Sequence, residues 1–315
     1  MTGRHGDTAQ ELIPTRCAIC GTEGSAIEMY EANFDLAAFH PTVFSARRLP
    51  DRVHYRLVKC KQCGLVRSDP IAAPELLARL YAESTVTYGD EVTDLRRTYG
   101  RYLDELEGFG VRKHALLEIG CGSGFFLEEA LSRGYREVRG VEPSQAAVDQ
   151  ADPRVRDRIA CGVMSPGLFA PEQFDVVCLF QVLDHLPDPA AVLGECLAVL
   201  KPGGLVLAIN HNVDAFSARV LGERSPIVDI EHTYLYGPAT MARVFTQRGF
   251  QIRRIGAVYN RYSLYYLCRL LPLPGAIKRA ALAWLQGRWI GRSRVWVPLG
   301  NLYLVAQKPP RLGAA

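Results

Sequence analysis

The sequence predicts an α/β fold, a parallel sheet doubly wound by helices, and three observations carry that expectation. Residues Leu116 to Gly124, read as Leu-Leu-Glu-Ile-Gly-Cys-Gly-Ser-Gly, run an apolar strand straight into a glycine-rich turn. Phe125 to Leu131 continue with the apolar periodicity of a helix. From Lys113 onward, short apolar runs alternate with helical patterns, as in successive β-α-β units. Sheets of this kind bind ligands beyond the carboxyl ends of their strands, where strand order reverses. That edge would gather Gly120 to Gly124, Glu142, Gln181 and Asn210.

The glycine turn predicts a nucleotide-type cofactor lying against main chain. Gly120, Gly122 and Gly124 carry no Cβ and accept turn dihedrals that other residues resist. Dinucleotides favour the spacing G-x-G-x-x-G, with a pyrophosphate on the helix N-terminus; the spacing here is G-x-G-x-G. Glu118, two residues before the first glycine, is a poor neighbour for pyrophosphate and a good one for a cation. Glu142 ends the next apolar run, Val138 to Val141, where an acid can accept ribose hydroxyls.

With these residues the chain resembles the class I S-adenosylmethionine-dependent methyltransferases. Phe174-Asp175-Val176-Val177, Gln181-Val182-Leu183-Asp184-His185-Leu186 and Asp188-Pro189 are similar to the family's fourth strand and the turn after it. Leu200-Lys201-Pro202-Gly203-Gly204 before Leu205 to Ile209 resembles the tight turn into its fifth strand. The resemblance implies a Rossmann-like seven-stranded methyltransferase sheet, with Gln251 to Val258 and Leu302 to Gln307 as a final antiparallel pair. It also implies that S-adenosylmethionine is held by Glu118, Gly120, Gly122, Gly124, Glu142 and Gln181. Where relatives often place an acid beside the adenine, this chain has Gly162-Val163-Met164, so Val163 and Met164 take that position. Cys121, inside the turn, is expected to pack rather than react.

Ahead of the sheet, Cys17-Ala-Ile-Cys20 and Cys60-Lys-Gln-Cys63 form two C-x-x-C knuckles separated by 39 residues. The interval is longer than the roughly 15–20 of common zinc ribbons. Four thiolates in two close pairs still suit a tetrahedral ion and leave no open position, so Cys17, Cys20, Cys60 and Cys63 are expected to hold a structural zinc. Residues 1–70 read as this zinc-ribbon-like module, with His54 to Val58 alternating as a strand and Pro41 and Pro50 in loops. Residues 71–112 read as a helical linker or cap, with helices over Pro74 to Tyr81 and Val92 to Phe109. Residues 113–315 form the cofactor-binding domain. In similar methyltransferases the N-terminal helices close over the cofactor, which nominates Tyr81 and Tyr88 for contacts.

Composition and charge narrow the partners. The chain of 315 residues is 48% hydrophobic and 22% charged, as expected of an ordinary globular protein. Met1 to Gln10 lack an apolar core and read as no signal peptide, no run is long enough to span a bilayer, and free cysteines in apparent core segments suit a reducing compartment; a cytoplasmic location is the expectation. The last acidic residue is Glu231: His232 to Ala315 holds 13 Lys or Arg and no Asp or Glu, whereas the first 231 residues hold 24 basic and 33 acidic groups. A positive C-terminal third suits a small anionic acceptor or peripheral contact with an anionic membrane. The 260–298 segment, between the last two expected strands, carries the pattern for the latter. Ile277, Ala281, Trp284 and Leu285 share a helix face flanked by Lys278 and Arg279, suited to a membrane interface or to a lid over the substrate.

Methyl transfer from a sulfonium needs alignment above all. A hydroxyl acceptor also benefits from a general base, and histidine is the usual one. His232 and His185 are the candidate catalytic residues. His232 lies in Asp229-Ile-Glu231-His232-Thr-Tyr234, where related small-molecule methyltransferases often place a histidine, with Asp229 or Glu231 available to orient it. His185 belongs to the Leu-Asp-His-Leu turn. His211, between Asn210 and Asn212, is a third pocket-side histidine. The expected reaction is methyl transfer to oxygen of a small anionic, sugar-like or lipid-linked acceptor, with C- or N-methylation of a sugar as the alternative. Zinc-bearing sugar C-methyltransferases resemble the knuckles and the glycine turn but continue into a further C-terminal domain. A non-catalytic binding protein is the rival of another class. Nucleic acid is not an expected partner, because Gln-Val-Leu-Asp replaces the Asn/Asp-Pro-Pro-aromatic signature of base methylation.

Overall fold

The computed structural model describes residues 12–34, 43–44, 52–84, 92–271 and 273–311. Tyr88, Pro41 and Pro50 lie outside the described residues. At the N-terminal end, β1 (Leu12–Ile13), β2 (Ala26–Tyr30), β3 (Leu57–Cys60), β4 (Val66–Ser68) and β5 (Ile71–Ala72) surround the two cysteine pairs. The strand before the second pair begins at Leu57, not at His54. His54 and Tyr55 are buried side by side, which breaks the alternation a strand would need, and His54 Nδ1 turns onto the Tyr55 carbonyl at 2.7 Å.

Helix α1 (Pro74–Ala82) starts with proline in its first turn, where the missing N–H has no intrahelical acceptor to lose. Helix α2 (Val92–Glu105) runs on into a 3-10 turn, Leu106–Phe109, closed by Gly110 at φ 75°. The parallel part follows as β6 (Ala115–Ile119), α3 (Phe125–Ser132), β7 (Glu137–Glu142), α4 (Gln145–Asp149), α5 (Pro153–Arg156), β8 (Ile159–Cys161), β9 (Phe174–Phe180), α6 (Pro189–Val199) and β10 (Leu200–His211). Ser144 caps α4 through Ala147 N, and Asp188 caps α6 through Ala191 N with Pro189 behind it. The Lys201–Gly204 segment is not a turn before the fifth strand. It lies within β10, whose register against β9 shifts between Leu200 and Leu205, and Gly203 takes φ 79° there.

The remaining elements are α7 (Phe216–Leu221), β11 (Tyr234–Leu235), α8 (Pro238–Thr246), β12 (Gln251–Ala257), β13 (Asn260–Ser263), α9 (Leu264–Leu270), α10 (Gly275–Leu285), α11 (Trp289–Arg292), β14 (Arg294–Val297) and β15 (Asn301–Gln307). Seven strands form one sheet in the order β12-β15-β10-β9-β6-β7-β8. The pairs from β10 through β8 are parallel, and β15 runs antiparallel to both of its neighbours. This is the doubly wound sheet the sequence predicts, with the final antiparallel pair in place.

Central strands are apolar on both faces, as a sheet covered on both sides requires. Leu117, Ile119, Val177, Leu179, Val206 and Ala208 pack with α6 and α8 through Leu193, Cys196, Met241 and Phe245. Alternate residues Leu116, Val176, Cys178, Phe180, Leu205 and Leu207 pack with α2 and α3 through Leu95, Tyr99, Phe126 and Leu127. Tyr99 stacks on Phe180 with ring centroids 4.3 Å apart, so α2 closes that face near the sheet's functional edge.

The cysteine-bearing segment is not separable from the large sheet. A four-stranded sheet runs β11-β4-β3-β2, its edge strand supplied by residues that follow His232. Cys17, Ile19, Cys60 and Leu65 join the core cluster of β6, β9 and α6. Ser68 Oγ donates to the His232 carbonyl at 2.6 Å, and Tyr234 Oη donates to the Arg16 carbonyl at 2.8 Å.

The insertion before the last strand closes on itself where β13 pairs with β14. Asp94 of α2 anchors it, meeting Arg261 Nη1 at 2.8 Å and Arg294 Nε at 3.2 Å. No residue of α10 is buried, and no described helix is long and apolar enough to cross a membrane.

Candidate active site

The turn after β6 takes left-handed dihedrals at Gly120 (φ 71°), Gly122 (φ 53°) and Gly124 (φ 71°). Two of these glycines serve packing as well as access. A Cβ on Gly120 would run into Val182 Cγ2, and one on Gly124 would come 3.0 Å from Ile159 Cδ1. The turn is tied to the end of β7 by Glu142, which accepts from Gly122 N at 2.8 Å and from Ser144 N at 3.0 Å. A carboxylate offers about four acceptor positions, so these two bonds leave capacity for hydroxyl donors.

Glu118, one residue before the end of β6, is buried beside Glu142. Burial, and then the charge of Glu142, push its carboxyl well above the usual range. Its Oε2 has no partner among the described residues, nor do Gln181 Oε1 and both side-chain polar atoms of Asn210. These orphaned groups belong to the carboxyl ends of three adjacent strands, and buried polar atoms need partners. Gln181 also holds the left-handed conformation (φ 56°), rare outside glycine, with its N–H on the Ile209 carbonyl at 2.7 Å. Val163 is 61% exposed beside the site, and Met164 packs against the core. A cofactor with a cationic amine and sulfonium, a ribose and an adenine fits this edge, because the cation offsets paired buried acids and the polar groups fill orphaned positions.

Cofactor binding is therefore expected to release a proton. Glu118 is held protonated more readily in the free protein, and a bound cation favours its charged form, so affinity rises with pH until Glu118 is ionised without help. Calorimetry in two buffers of different ionisation enthalpy measures this directly; equal apparent enthalpies below that pH would rule out the linkage.

A second cluster forms beyond β9 and β10. Asp184 is buried, and three histidines from three segments surround it. His211 Nδ1 lies 2.8 Å from Asp184 Oδ2, His232 Nε2 lies 3.9 Å from the same oxygen, and His185 Nε2 lies 3.6 Å from Oδ1. The His232 ring is 4.7 Å from that of His211 and 5.0 Å from that of His185, centroid to centroid. Burial alone would raise the Asp184 carboxyl; the charges of His185, His211 and His232 overcome it and hold the group well below the carboxylate range.

The structure thus brings His185 and His232 together and adds His211. His232 is oriented by the Ile227 carbonyl, 2.7 Å from Nδ1, and faces Asp184, while its N–H donates to the Asp229 carbonyl at 3.1 Å. The Asp229 side chain accepts from Glu231 N at 3.2 Å. Burial lowers the His232 pKa. Tyr81 meets this cluster, its hydroxyl 3.0 Å from His185 Nδ1. Sequence reasoning misses Asp184 as the hub because the acid sits 27 residues before His211 and on a different loop from His232. Cys121 is buried and packs against Gly140.

The four knuckle cysteines converge, their sulfurs all within 4.8 Å of one another. Cys17 and Cys63 sulfurs are 3.3 Å apart and those of Cys20 and Cys60 3.5 Å, near the about 3.8 Å expected between thiolates on tetrahedral zinc. Although burial opposes it, the N–H groups of Cys63 and Gln62 draw the Cys60 thiol down to about 6, while burial pushes the Cys17 and Cys63 thiols up. The donor set fits zinc.

A doubly wound seven-stranded sheet of this order, carrying a glycine turn and acids at the ends of its first two strands, defines a Rossmann-like nucleotide-cofactor fold. The family model described as Methyltransferase domain matches residues 92–255, just over half of the chain, and the chain belongs to that family. The matched segment is a methyltransferase domain. The chain is 34% identical over 117 residues to the ubiquinone biosynthesis O-methyltransferase of Stutzerimonas stutzeri, covering 34% of this chain and 49% of that protein. It is 29% identical over 179 residues to the Cupriavidus pinatubonensis protein of that name, covering 52% and 71%. Solved structures it resembles include a SAM-dependent methyltransferase from Aquifex aeolicus, at TM-score 0.44 and 13% identity over 69% of this chain and 93% of that one. Another is geranyl diphosphate C-methyltransferase from Streptomyces coelicolor, at 0.45 and 16% over 67% and 77%. The chain spans about half the length of the first of these curated relatives.

Proposed function

We propose that this protein methylates a hydroxyl oxygen of a small, anionic, lipid-linked or sugar-like acceptor, using the Asp184 cluster to take the hydroxyl through loss of its proton. The observation that carries this reading is one buried carboxylate ringed by His185, His211 and His232 next to the expected cofactor edge. Bound S-adenosylmethionine supplies an electrophilic methyl on positively charged sulfur. Asp184 would supply the fixed negative charge that favours a positive partner during deprotonation, with His185 and His232 as the proposed catalytic residues. Oxygen as the acceptor atom is supported by the O-methyltransferase names of the relatives. Incubation with methyl-labelled cofactor and a panel of phosphorylated sugars, lipid-linked sugars and lipophilic phenols tests the reading; label in an ether product is the expected result.

A structural zinc on Cys17, Cys20, Cys60 and Cys63 is part of the same proposal, since that cluster braces the strand after His232. So is contact with an anionic membrane through residues 260–298, in a cytoplasmic setting. The fully unburied α10 supports it, with Ile277 and Trp284 exposed beside Lys278 and Arg279 and Trp289 77% exposed in α11. An apolar cavity of ≈ 250 Å³, lined by Leu57, Val66, Ile227, Val228 and Leu235 behind the His232 loop, suits a hydrocarbon portion of the acceptor. Replacing Trp284 and Trp289 with serine is expected to cut binding to anionic vesicles at least ~10-fold, each lost aromatic removing a kcal/mol or more of burial. Sedimentation with unchanged binding would remove the membrane role.

A further inference from the structure

We propose that Asp184, His211 and His232 bind a divalent transition-metal ion, a second metal site separate from the four cysteines. The proposal rests on the hydroxyl-methylation reading above and names what makes that hydroxyl acidic: an ion held by His232, in place of His232 acting as the base. One ligand atom from each of the three residues lies within 4.8 Å of the others. The tautomer of His232 supplies the decisive detail. Its Nδ1 lies 2.7 Å from the Ile227 carbonyl, which only accepts, so Nδ1 carries a proton and Nε2 is the atom turned toward Asp184. Nε2 lies 3.9 Å from Asp184 Oδ2, beyond hydrogen-bond distance and with room for an ion bound to both atoms. A backbone carbonyl on the outer nitrogen is also how metal-ligating histidines are commonly held.

Asp184 is equally unusual. Its side chain is 1% exposed and its Oδ1 has no hydrogen-bond partner among the described residues. His211 donates from Nδ1 to Oδ2 without metal; a neutral imidazole that binds an ion through Nδ1 carries its proton on Nε2 instead, so the ion needs only the other tautomer. Two imidazoles and one carboxylate suit zinc, iron, cobalt or manganese and leave coordination positions open. The His211 and His185 side chains, 25% and 21% exposed, mark the accessible side. An acceptor hydroxyl reaching the ion from there loses its proton to water and keeps its electron pair on oxygen. That oxygen then forms the bond to the methyl carbon while the carbon–sulfur bond breaks, sulfur retaining the pair, and the neutral ether leaves the ion.

The test uses full-length protein with zinc already on its cysteines, titrated with cobalt(II) and read by visible absorption and by metal analysis after desalting. One cobalt per chain is expected, with ligand-field bands and no new thiolate charge-transfer band. His211→Ala and Asp184→Asn should each weaken it at least ~100-fold, with circular dichroism and S-adenosylmethionine affinity unchanged to show that they fold. A wild type that takes up no cobalt, or variants that bind it as tightly, would overturn the site. Full-rate methyl transfer by protein carrying zinc only on its cysteines would overturn it too, while leaving the methylation reading intact. Cobalt bound as described with label appearing only on nitrogen or carbon would keep the site and remove the hydroxyl reading.

Discussion

Asp184→Asn is expected to reduce methyl transfer by about 10²–10⁴-fold, the range over which a proton-handling group acts, while cofactor affinity changes little. The substitution keeps the shape and removes the charge. In the native cluster that charge is buried, held ionised, and shared by His185, His211 and His232. Asparagine would leave three imidazoles around a neutral amide, with nothing to stabilise a proton or a cation among them. Most of the expected cofactor groups, Glu118, Gly120, Gly122, Gly124 and Glu142, lie on β6, the turn after it and β7 rather than on the turn that carries Asp184, so calorimetry with S-adenosylmethionine separates a lost reaction from a lost fold. Near-native turnover in this variant, with a hydroxyl acceptor, would show that the cluster is scaffolding.

Removing the proposed zinc, or replacing Cys60 with serine, is expected to disable methyl transfer from a distance. Structural zinc contributes folding free energy outright, on the order of 10 kcal/mol in isolated fingers. A loss of even several kcal/mol corresponds to about 10 °C in melting temperature for a domain of this size. The damage should not stop at the N-terminal sheet, because β4 pairs with β11 at Arg67 to Tyr234 and Val66 to Leu235. Ser68 holds the His232 carbonyl from the same strand. Loosening β3 and β4 therefore releases the loop that orients His232. Thermal melts and turnover measured in parallel on chelated protein check this; a melt unchanged by zinc loss would make the knuckles incidental.

The parallel sheet was legible in the sequence because its strands are buried on both faces and read as unbroken apolar runs, and because Gly120, Gly122, Gly124 and Glu142 stand at fixed distances along the chain. Capping by Ser144 and Asp188 and the entry of Pro74, Pro189 and Pro238 into their helices are equally local. What was not legible depends on distant segments meeting. Asp184 becomes a hub only when the turns after β9 and β10 and the loop before β11 come together. Tyr81 joins it from the helix ahead of the sheet. The borrowing of β11 by the cysteine-bearing sheet is a two-residue pairing with no periodicity to announce it. His54 and Arg56 misled the strand boundary because burial there follows individual contacts: His54 to Tyr55 and Glu223, and Arg56 to Asp69. The spacing of the glycines points only to the ligand, yet Gly120 and Gly124 also make room for Val182, Ile159 and Val155.

The most direct measurement is carbon nuclear magnetic resonance of the product formed with ¹³C-methyl S-adenosylmethionine, wild type against Asp184→Asn, using the acceptor that the labelled panel selects. The expected result is an O-methyl resonance from the wild type whose rate of formation falls at least ~100-fold in the variant. A methyl resonance on carbon or nitrogen, or equal rates from the two proteins, would contradict it.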